Sequence, residues 1–140
     1  MTPTTSLYLT DPFSSSPESL ETLTAFVKSH HPYGWSQTLL DHCWLMEVTA
    51  DDELIALVWF NRVCPGVIEC HACALPEWRG RWLKRDVLYG LRQIIGVTGC
   101  RACIIQITTP LVRRICRRLG FKVLSKIAIL ELGEAPDGTS

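Results

Sequence analysis

The sequence lacks any apolar run long enough to span a membrane. Its longest hydrophobic stretches, such as LIALVWF, fall far short of the roughly 18 residues that a membrane-spanning helix needs. The opening segment MTPTTS has neither the basic nor the apolar region of a signal peptide. We therefore expect a soluble cytoplasmic protein without a membrane partner.

A disulfide framework, internal repeats and linkers are also missing. The seven cysteines make an odd number, and most lie in apolar runs, where free cysteine behaves as a small hydrophobic residue. This pattern indicates a reducing compartment. With 47% hydrophobic and 20% charged residues, 140 residues suffice for one core. We expect a single domain over residues 1–140, with its core over residues 16–133 and polar tails at both ends.

Acidic residues are scarce in one half of an otherwise neutral chain. The formal net charge is zero, yet residues 76–126 contain twelve Lys/Arg and two Asp/Glu. Residues 1–75 contain two Lys/Arg and nine Asp/Glu. An excess of one charge over part of a protein favours binding of the opposite charge there. The basic half therefore predicts an anionic ligand or partner.

Hydrophobic periodicity predicts alternating helices and strands. Ser16 and Pro17 form a typical helix start, Pro110 and Gly120 bracket an arginine-rich helix, and ADDE separates two strand-like runs. The predicted order is a helix, three antiparallel strands, a helix that follows LPEWRGRWLKRDV, a strand, the arginine-rich helix and a last strand. This order predicts an α/β fold in which a strand-helix-strand unit follows a meander.

The segment LPEWRGRWLKRDV, residues 75–87, joins a predicted strand to a predicted helix and allows two interpretations. Backbone N–H groups at a helix N-terminus, together with the helix dipole, form a site for a diphosphate. The basic side chains of Arg81, Lys84 and Arg85 favour such an anion. Alternatively, the segment is an exposed basic turn whose Trp82 covers the end of the core or fills the space of the diphosphate.

Two motifs resemble those of the GNAT family of acyl-CoA-dependent N-acetyltransferases, and the similarity covers residues 41–133. The loop resembles the family's pyrophosphate loop, P-x-x-R-G-x-G-x-G: it has Arg79 and Gly80, with Trp82 and Lys84 at the positions of the later glycines. The segment RRICRRLGF resembles the end of the family's N-x-x-A-x-x-x-Y-x-x-x-G-F motif. The resemblance implies a mixed, mostly antiparallel twisted sheet flanked by helices.

The resemblance also implies a function. Acetyl-CoA would be the acyl donor, and a primary amine would take the acetyl group by direct attack, without a covalent enzyme intermediate. The backbone N–H at about Leu75 would stabilise the oxyanion. The implied cofactor-binding residues are Leu75, Arg79, Gly80, Arg81, Trp82, Leu83, Lys84 and Thr109.

Three residues are candidates for catalysis. Glu69 and His71 occupy alternate positions of one predicted strand, so their side chains share a face, and a water molecule can relay a proton between them. Histidine titrates near neutrality, which suits a base, but His71 is equally interpreted as a satisfied polar group of the core. Cys116 stands where the family's tyrosine protonates the departing thiolate, and the alternative is that Cys116 only packs.

Other constellations are set aside. Cys64, Cys70, His71 and Cys73 do not predict a zinc site, because alternate strand positions point Cys70 away from His71 and Cys73. The CRAC segment enters a strand, whereas redox cysteine pairs act at a helix N-terminus. No aromatic ladder accompanies the arginines of RRICRR, so we do not expect a nucleic-acid partner.

The chain is similar to the compact GNAT-related proteins of tailed bacteriophages and some bacteria. Only about a dozen residues follow LGF before the polar tail, so the final hairpin is expected to be short. The alternative function is a catalytically inactive GNAT-like fold that acts in protein interaction, as a virion component or a host-targeting factor. The enzyme interpretation predicts the cytoplasm of a bacterium or an infected host cell. A protein partner or a homo-oligomer is compatible with both.

Overall fold

The computed structural model describes residues 5–10, 17–30 and 43–132. The elements in these ranges are β1 (Thr5–Thr10), α1 (Pro17–His30), β2 (Trp44–Ala50), β3 (Glu53–Cys64), β4 (Val67–Ala74), α2 (Arg85–Val97), β5 (Ala102–Gln106), α3 (Pro110–Arg118), β6 (Lys122–Val123) and β7 (Ile127–Glu131). A short 3-10 helix, Pro76–Trp78, lies between β4 and α2. None of these helices is long and apolar enough to pass through a bilayer.

The strands form one sheet in the order β1-β2-β3-β4-β5-β7-β6. β4 and β5 are parallel, and every other neighbouring pair is antiparallel. α2 is the crossover between the two parallel strands, as a strand-helix-strand unit requires. The predicted α/β fold, with a mixed and mostly antiparallel sheet, is therefore confirmed.

Two strands differ from the prediction. Thr5–Thr10, expected in a polar tail, is the edge strand β1 and pairs with β2; its pattern is too short to stand out without that partner. The predicted last strand is two strands, because a turn in which the Leu124 N–H donates to the Ile127 carbonyl at 2.9 Å separates β6 from β7. The two-residue β6 makes the final hairpin short, as expected. The predicted helix start at Ser16 and the tail from residue 133 lie outside the described residues.

Helices cover both faces of the sheet. On one face, Val87, Leu91 and Ile95 of α2 are buried at four-residue intervals, which is the apolar stripe of an amphipathic helix. They belong to the larger of two hydrophobic clusters, with buried residues of β2 to β5, α3 and β7. On the other face, α1 packs against the sheet and forms the smaller cluster. This cluster consists of Leu23, Val27, Cys43, Leu45, Leu57, Trp59 and Cys73.

The two parallel strands stay paired over only part of their length. Pairing of β4 with β5 runs from Val67 and Ala102 to Glu69 and Ile104. Beyond this point β4 continues to Ala74 beside β3, and β5 continues to Gln106 beside β7. The strands therefore part past Glu69 and leave an opening in the middle of the sheet.

Candidate active site

A cavity of about 680 Å³ occupies the opening between β4 and β5. Its walls include residues 70–74 of β4, Ile105 and Gln106 of β5, the loop before α2, and the inner side of α3. Both Cys70, which faces the α2 side of the sheet, and Cys73, which faces the α1 side, line it. The cavity therefore connects the two faces of the sheet, so a ligand on one face can meet a ligand on the other.

His71 and Glu69 form a direct pair at this cavity. The Nε2 atom of His71 lies 2.6 Å from Oε1 of Glu69. The imidazole also stacks on the ring of Trp59, with ring centroids 5.5 Å apart and planes 16° from parallel. His71 lines the cavity, whereas Glu69 is not among the described lining residues. The predicted shared face is confirmed, and the carboxylate holds the imidazole directly rather than through a water molecule. The catalytic roles stay predictions.

The amide of Leu75 is not available as an oxyanion donor, contrary to the prediction. The Leu75 N–H donates to the carbonyl of Ile55 in β3 at 2.9 Å. In an antiparallel pair the amides of successive residues point to opposite edges, so those of Ala72 and Ala74 point away from β3, toward β5. Since β5 has parted from β4 there, these two amides face the cavity, which both alanines line.

Several loop amides are also used internally. The N–H groups of Arg81 and Trp82 donate to the Trp78 carbonyl, at 2.9 and 3.1 Å, and that of Arg79 donates to the Pro76 carbonyl at 3.3 Å. These amides, which the resemblance assigns to a diphosphate, instead close the turn after the 3-10 helix. These three amides are therefore not free to bind an anion.

The first turn of α2 supplies donors for an anion. Lys84 is its N-cap residue and provides no side-chain cap, and the first helical bond is from the Leu88 N–H to the Lys84 carbonyl at 2.9 Å. The amides of Arg85, Asp86 and Val87 therefore have no intrahelical acceptor. With the helix dipole, they form a site suited to an anion. Lys84 and Arg85 add positive charge.

Trp78 is the platform for two of the loop cations. The Arg81 guanidinium lies 5.5 Å from its ring centroid and donates to the Glu77 carbonyl at 3.3 Å. The Lys84 ammonium lies 6.0 Å from the same ring. Arg81 is not among the described residues that line the cavity, whereas Arg79, Gly80, Trp82 and Leu83 are. The predicted loop residues thus divide into a group at the cavity and a group beside Trp78.

The indole of Trp82 forms a wall of the cavity and does not fill it. Its side chain is 7% exposed and packs in the larger core cluster, yet about 680 Å³ remains beside it. Gly80, two residues earlier, has a φ of +75°, which non-glycine residues rarely adopt. A β-carbon there would lie 3.3 Å from Cδ2 of Leu111 in α3. Gly80 therefore allows the tight turn that sets Trp82 against the core.

Replacement of Gly80 by alanine is expected to lower the free energy of unfolding by about 1–2 kcal/mol, because an L residue is strained at positive φ. Gly96, in the last turn of α2, provides a matched control, since nothing lies within 4 Å of a β-carbon there. Gly96→Ala is expected to raise stability by about 0.5–1 kcal/mol through helix propensity. Urea unfolding of the two variants checks both signs, and equal stabilities would contradict the assigned turn.

Cys116 lies at the cavity but is a poor acid. Its side chain is fully buried in α3, and burial raises the pKa of the thiol to about 11. A departing thiolate with an ordinary pKa near about 8.5 takes a proton only with difficulty from so weak an acid. The structure thus favours the alternative in which Cys116 packs. Thr109, another predicted residue, caps α3: its hydroxyl accepts from the Val112 N–H at 3.2 Å. Its neighbour Thr108 lines the cavity.

The buried thiols form a titratable group in the core. Burial raises the pKa values of Cys73 and Cys103 to about 12, and that of Cys70 well above its usual value. For Cys70 and Cys103, neighbouring thiols contribute a smaller part of this rise. No group of three or more His, Cys, Asp or Glu side chains in the described part of the chain is arranged to hold a metal ion.

These thiols predict alkaline unfolding. As the pH rises above about 8.5 the unfolded chain loses thiol protons that the folded chain keeps, so stability is complete below that pH and falls as the pH approaches 11 to 12. Each thiol contributes a slope of about 1.4 kcal/mol per pH unit. Denaturant unfolding at pH 8, 9 and 10 under reducing conditions measures the slope. Cys103→Ala is expected to reduce the slope of the unfolding free energy against pH, and replacement of the exposed Cys64 by alanine is expected to leave this slope unchanged. Equal slopes in the two variants would contradict the role of the buried thiols.

Comparison with known proteins identifies the fold. No protein-family profile matches the sequence, and no curated protein is a detectable sequence relative. The ribosomal-protein-S18-alanine N-acetyltransferase of Escherichia coli superimposes with a TM-score of 0.70 at 12% identity, covering 96% of this chain and 99% of its own. A Desulfovibrio desulfuricans acetyltransferase of the GNAT family gives 0.67 at 15%, covering 93% and 100%.

A third solved structure contains a cofactor. The acetyltransferase yncA of Salmonella typhimurium, determined with its cofactor acetyl-CoA, superimposes with a TM-score of 0.69 at 14% identity. The similarity covers 94% of this chain and 96% of that one. Since nearly the whole length of each protein takes part, the likeness is one of complete topology and not of a shared motif. This chain therefore has the fold of the GNAT N-acetyltransferases.

Proposed function

We propose that this protein is an N-acetyltransferase that uses acetyl-CoA as acyl donor and a primary amine as acceptor. The observation that carries the proposal is the parting of β4 and β5 past Glu69. It opens a cavity through the sheet that is lined by a histidine paired with a carboxylate. The uncapped first turn of α2 follows the lining residues Trp82 and Leu83 along the chain.

The residues present fit the donor. The first-turn amides of α2, with Lys84 and Arg85, would hold its diphosphate through charge-assisted hydrogen bonds. The parted edge of β4 presents backbone donors along the cavity, suited to the amide groups of the pantetheine arm. When bound, acetyl-CoA supplies an activated acetyl thioester. The amide of Ala72 or Ala74 would donate to the carbonyl oxygen on which negative charge develops.

The acceptor amine needs a base. His71 lines the cavity on the α1 side of the sheet, and Glu69 orients its ring and stabilises the imidazolium that forms when the ring takes a proton. In the absence of a strong acid at Cys116, the remaining rate enhancement comes from holding amine and thioester in contact. With Cys116 too weak an acid, the proton for the departing CoA thiolate would come from solvent.

An acetyl-transfer assay tests the proposal. Release of the free CoA thiol is followed with a thiol reagent, separated from the protein's own cysteines by ultrafiltration, over a panel of primary amines. Amine-dependent release, with the acetylated amine identified by mass spectrometry, is the expected result. No acetylated product from any amine, despite saturating acetyl-CoA, would overturn the proposal.

A second candidate function is supported by the loop. The internal hydrogen bonds of the Arg81 and Trp82 amides and the high pKa of Cys116 both favour a fold that has lost catalysis and serves in protein interaction. This alternative predicts neither acetyl-CoA binding nor transfer. Absence of both acetyl-CoA binding and acetyl transfer would support this alternative.

A further inference from the structure

The described part of the cavity wall carries cationic and imidazole side chains. His30, His71 and Arg79 line it, together with the thiols of Cys70 and Cys73. Among the described lining residues there is no aspartate or glutamate. The carboxylate of Glu69 is paired with the lining residue His71. A polyamine or a lysine-rich acceptor would require carboxylates along such a wall.

His30 and His71 lie on the α1 side of the sheet, and Arg79 belongs to the loop that follows β4. His30 is the last residue of α1, where its ring contacts that of Phe26 at 4.8 Å between centroids. α1 packs against the face that carries Cys73. The guanidinium of Arg79 is close enough to Cys73 to oppose part of the rise in its thiol pKa that burial causes. Arg79 lines the same cavity as His30 and His71.

We propose that the acceptor is a primary amine with an anionic group close to the amine, as in an amino acid, and that Arg79 and His30 bind this group. The proposal rests on the proposed acetyltransferase function. It assigns Arg79 to the acceptor, whereas the sequence resemblance assigns it to the diphosphate of CoA. The diphosphate remains with the first turn of α2.

The chemistry of both groups supports this assignment. A guanidinium binds a carboxylate through two parallel hydrogen bonds, which fixes the position of the amine next to that carboxylate. The same contact thus fixes the acceptor in the cavity that His71 lines.

Steady-state kinetics with matched acceptors tests the inference. We compare α-amino acids with their methyl esters, which lack the anionic group, and with putrescine, which is a diamine. The amino acid is expected to have a kcat/KM at least about tenfold higher than its ester, the effect of one charge-assisted contact. Arg79→Gln is expected to raise the KM for the amino acid by about 10–100-fold and to leave the KM for acetyl-CoA unchanged. His30→Gln provides a second variant of the same site.

Arg62→Gln is the control for the loss of an arginine. Arg62 is exposed, lies over the ring of Trp44, and is not among the described residues lining the cavity. A preference for putrescine, or an Arg79→Gln variant that raises only the KM for acetyl-CoA, would overturn the inference and leave the proposed function intact. Absence of transfer to every amine would overturn both.

Discussion

His71→Gln is expected to lower the kcat of acetyl transfer by about 10²–10⁴-fold, the range that a lost general base typically costs. Glutamine is similar in size to histidine but does not accept a proton at neutral pH. The carboxylate of Glu69, 2.6 Å from the imidazole in the wild type, retains an amide donor in the variant. Stopped assays at saturating amine and acetyl-CoA measure the loss.

Acetyl-CoA binding provides the internal control for this variant. His71 faces the α1 side of the sheet, whereas the proposed diphosphate site lies at the start of α2, so the dissociation constant is expected to change by less than about threefold. Glu69→Gln is expected to give a smaller loss of kcat, because it keeps the orientation of the imidazole and removes the charge that stabilises the imidazolium. A His71→Gln variant with wild-type kcat would exclude this histidine as the base.

The double replacement Lys84→Glu/Arg85→Glu is expected to weaken acetyl-CoA binding by about 10²–10⁴-fold. Two charge-assisted contacts worth about 1.5–3 kcal/mol each are lost, which corresponds to that range of dissociation constants. Negative charge at the N-terminus of α2 interacts favourably with the helix dipole, so the free energy of unfolding is not expected to fall. Calorimetric titration in low salt, where screening is least, measures the change.

A charge-matched control separates this local effect from the net charge. Lys122→Glu/Lys126→Glu makes the same change of charge at exposed positions of the final hairpin, outside the first turn of α2. This variant is expected to bind acetyl-CoA within about threefold of the wild type. Equal weakening in both double variants would show that only the overall basic charge matters and would remove the helix N-terminus from the account.

The fold was largely predictable because its signals are local. The apolar stripe of α2, and Pro110 and Gly120 around α3, determine helix positions through side-chain periodicity and backbone preference alone. The strand alternation that places Glu69 and His71 on one face is equally local. β1 was not predicted, because a six-residue edge strand is defined by its pairing with β2 rather than by its own pattern.

The site was less predictable because it depends on which alternate residues of β4 hydrogen-bond to β3 and on tertiary packing. The backbone hydrogen bond from Leu75 to Ile55 determines which amides of β4 face the cavity. No residue pattern indicates whether the odd or the even positions of β4 donate to β3. The resemblance assigned the diphosphate to loop amides, but in the structure the amides of Arg81 and Trp82 donate to the Trp78 carbonyl. The position of His30 at the cavity was not predicted, because it results from the packing of α1 on β4.

Calorimetric titration with acetyl-CoA tests the central claim most directly, since everything proposed requires that the gap between β4 and β5 binds the donor. We expect saturable binding at one site per chain. We also expect Ala72→Trp, which fills the cavity from an exposed position on β4, to abolish binding without lowering the unfolding temperature. Absence of any binding heat at millimolar acetyl-CoA, or equal binding by Ala72→Trp, would contradict the account.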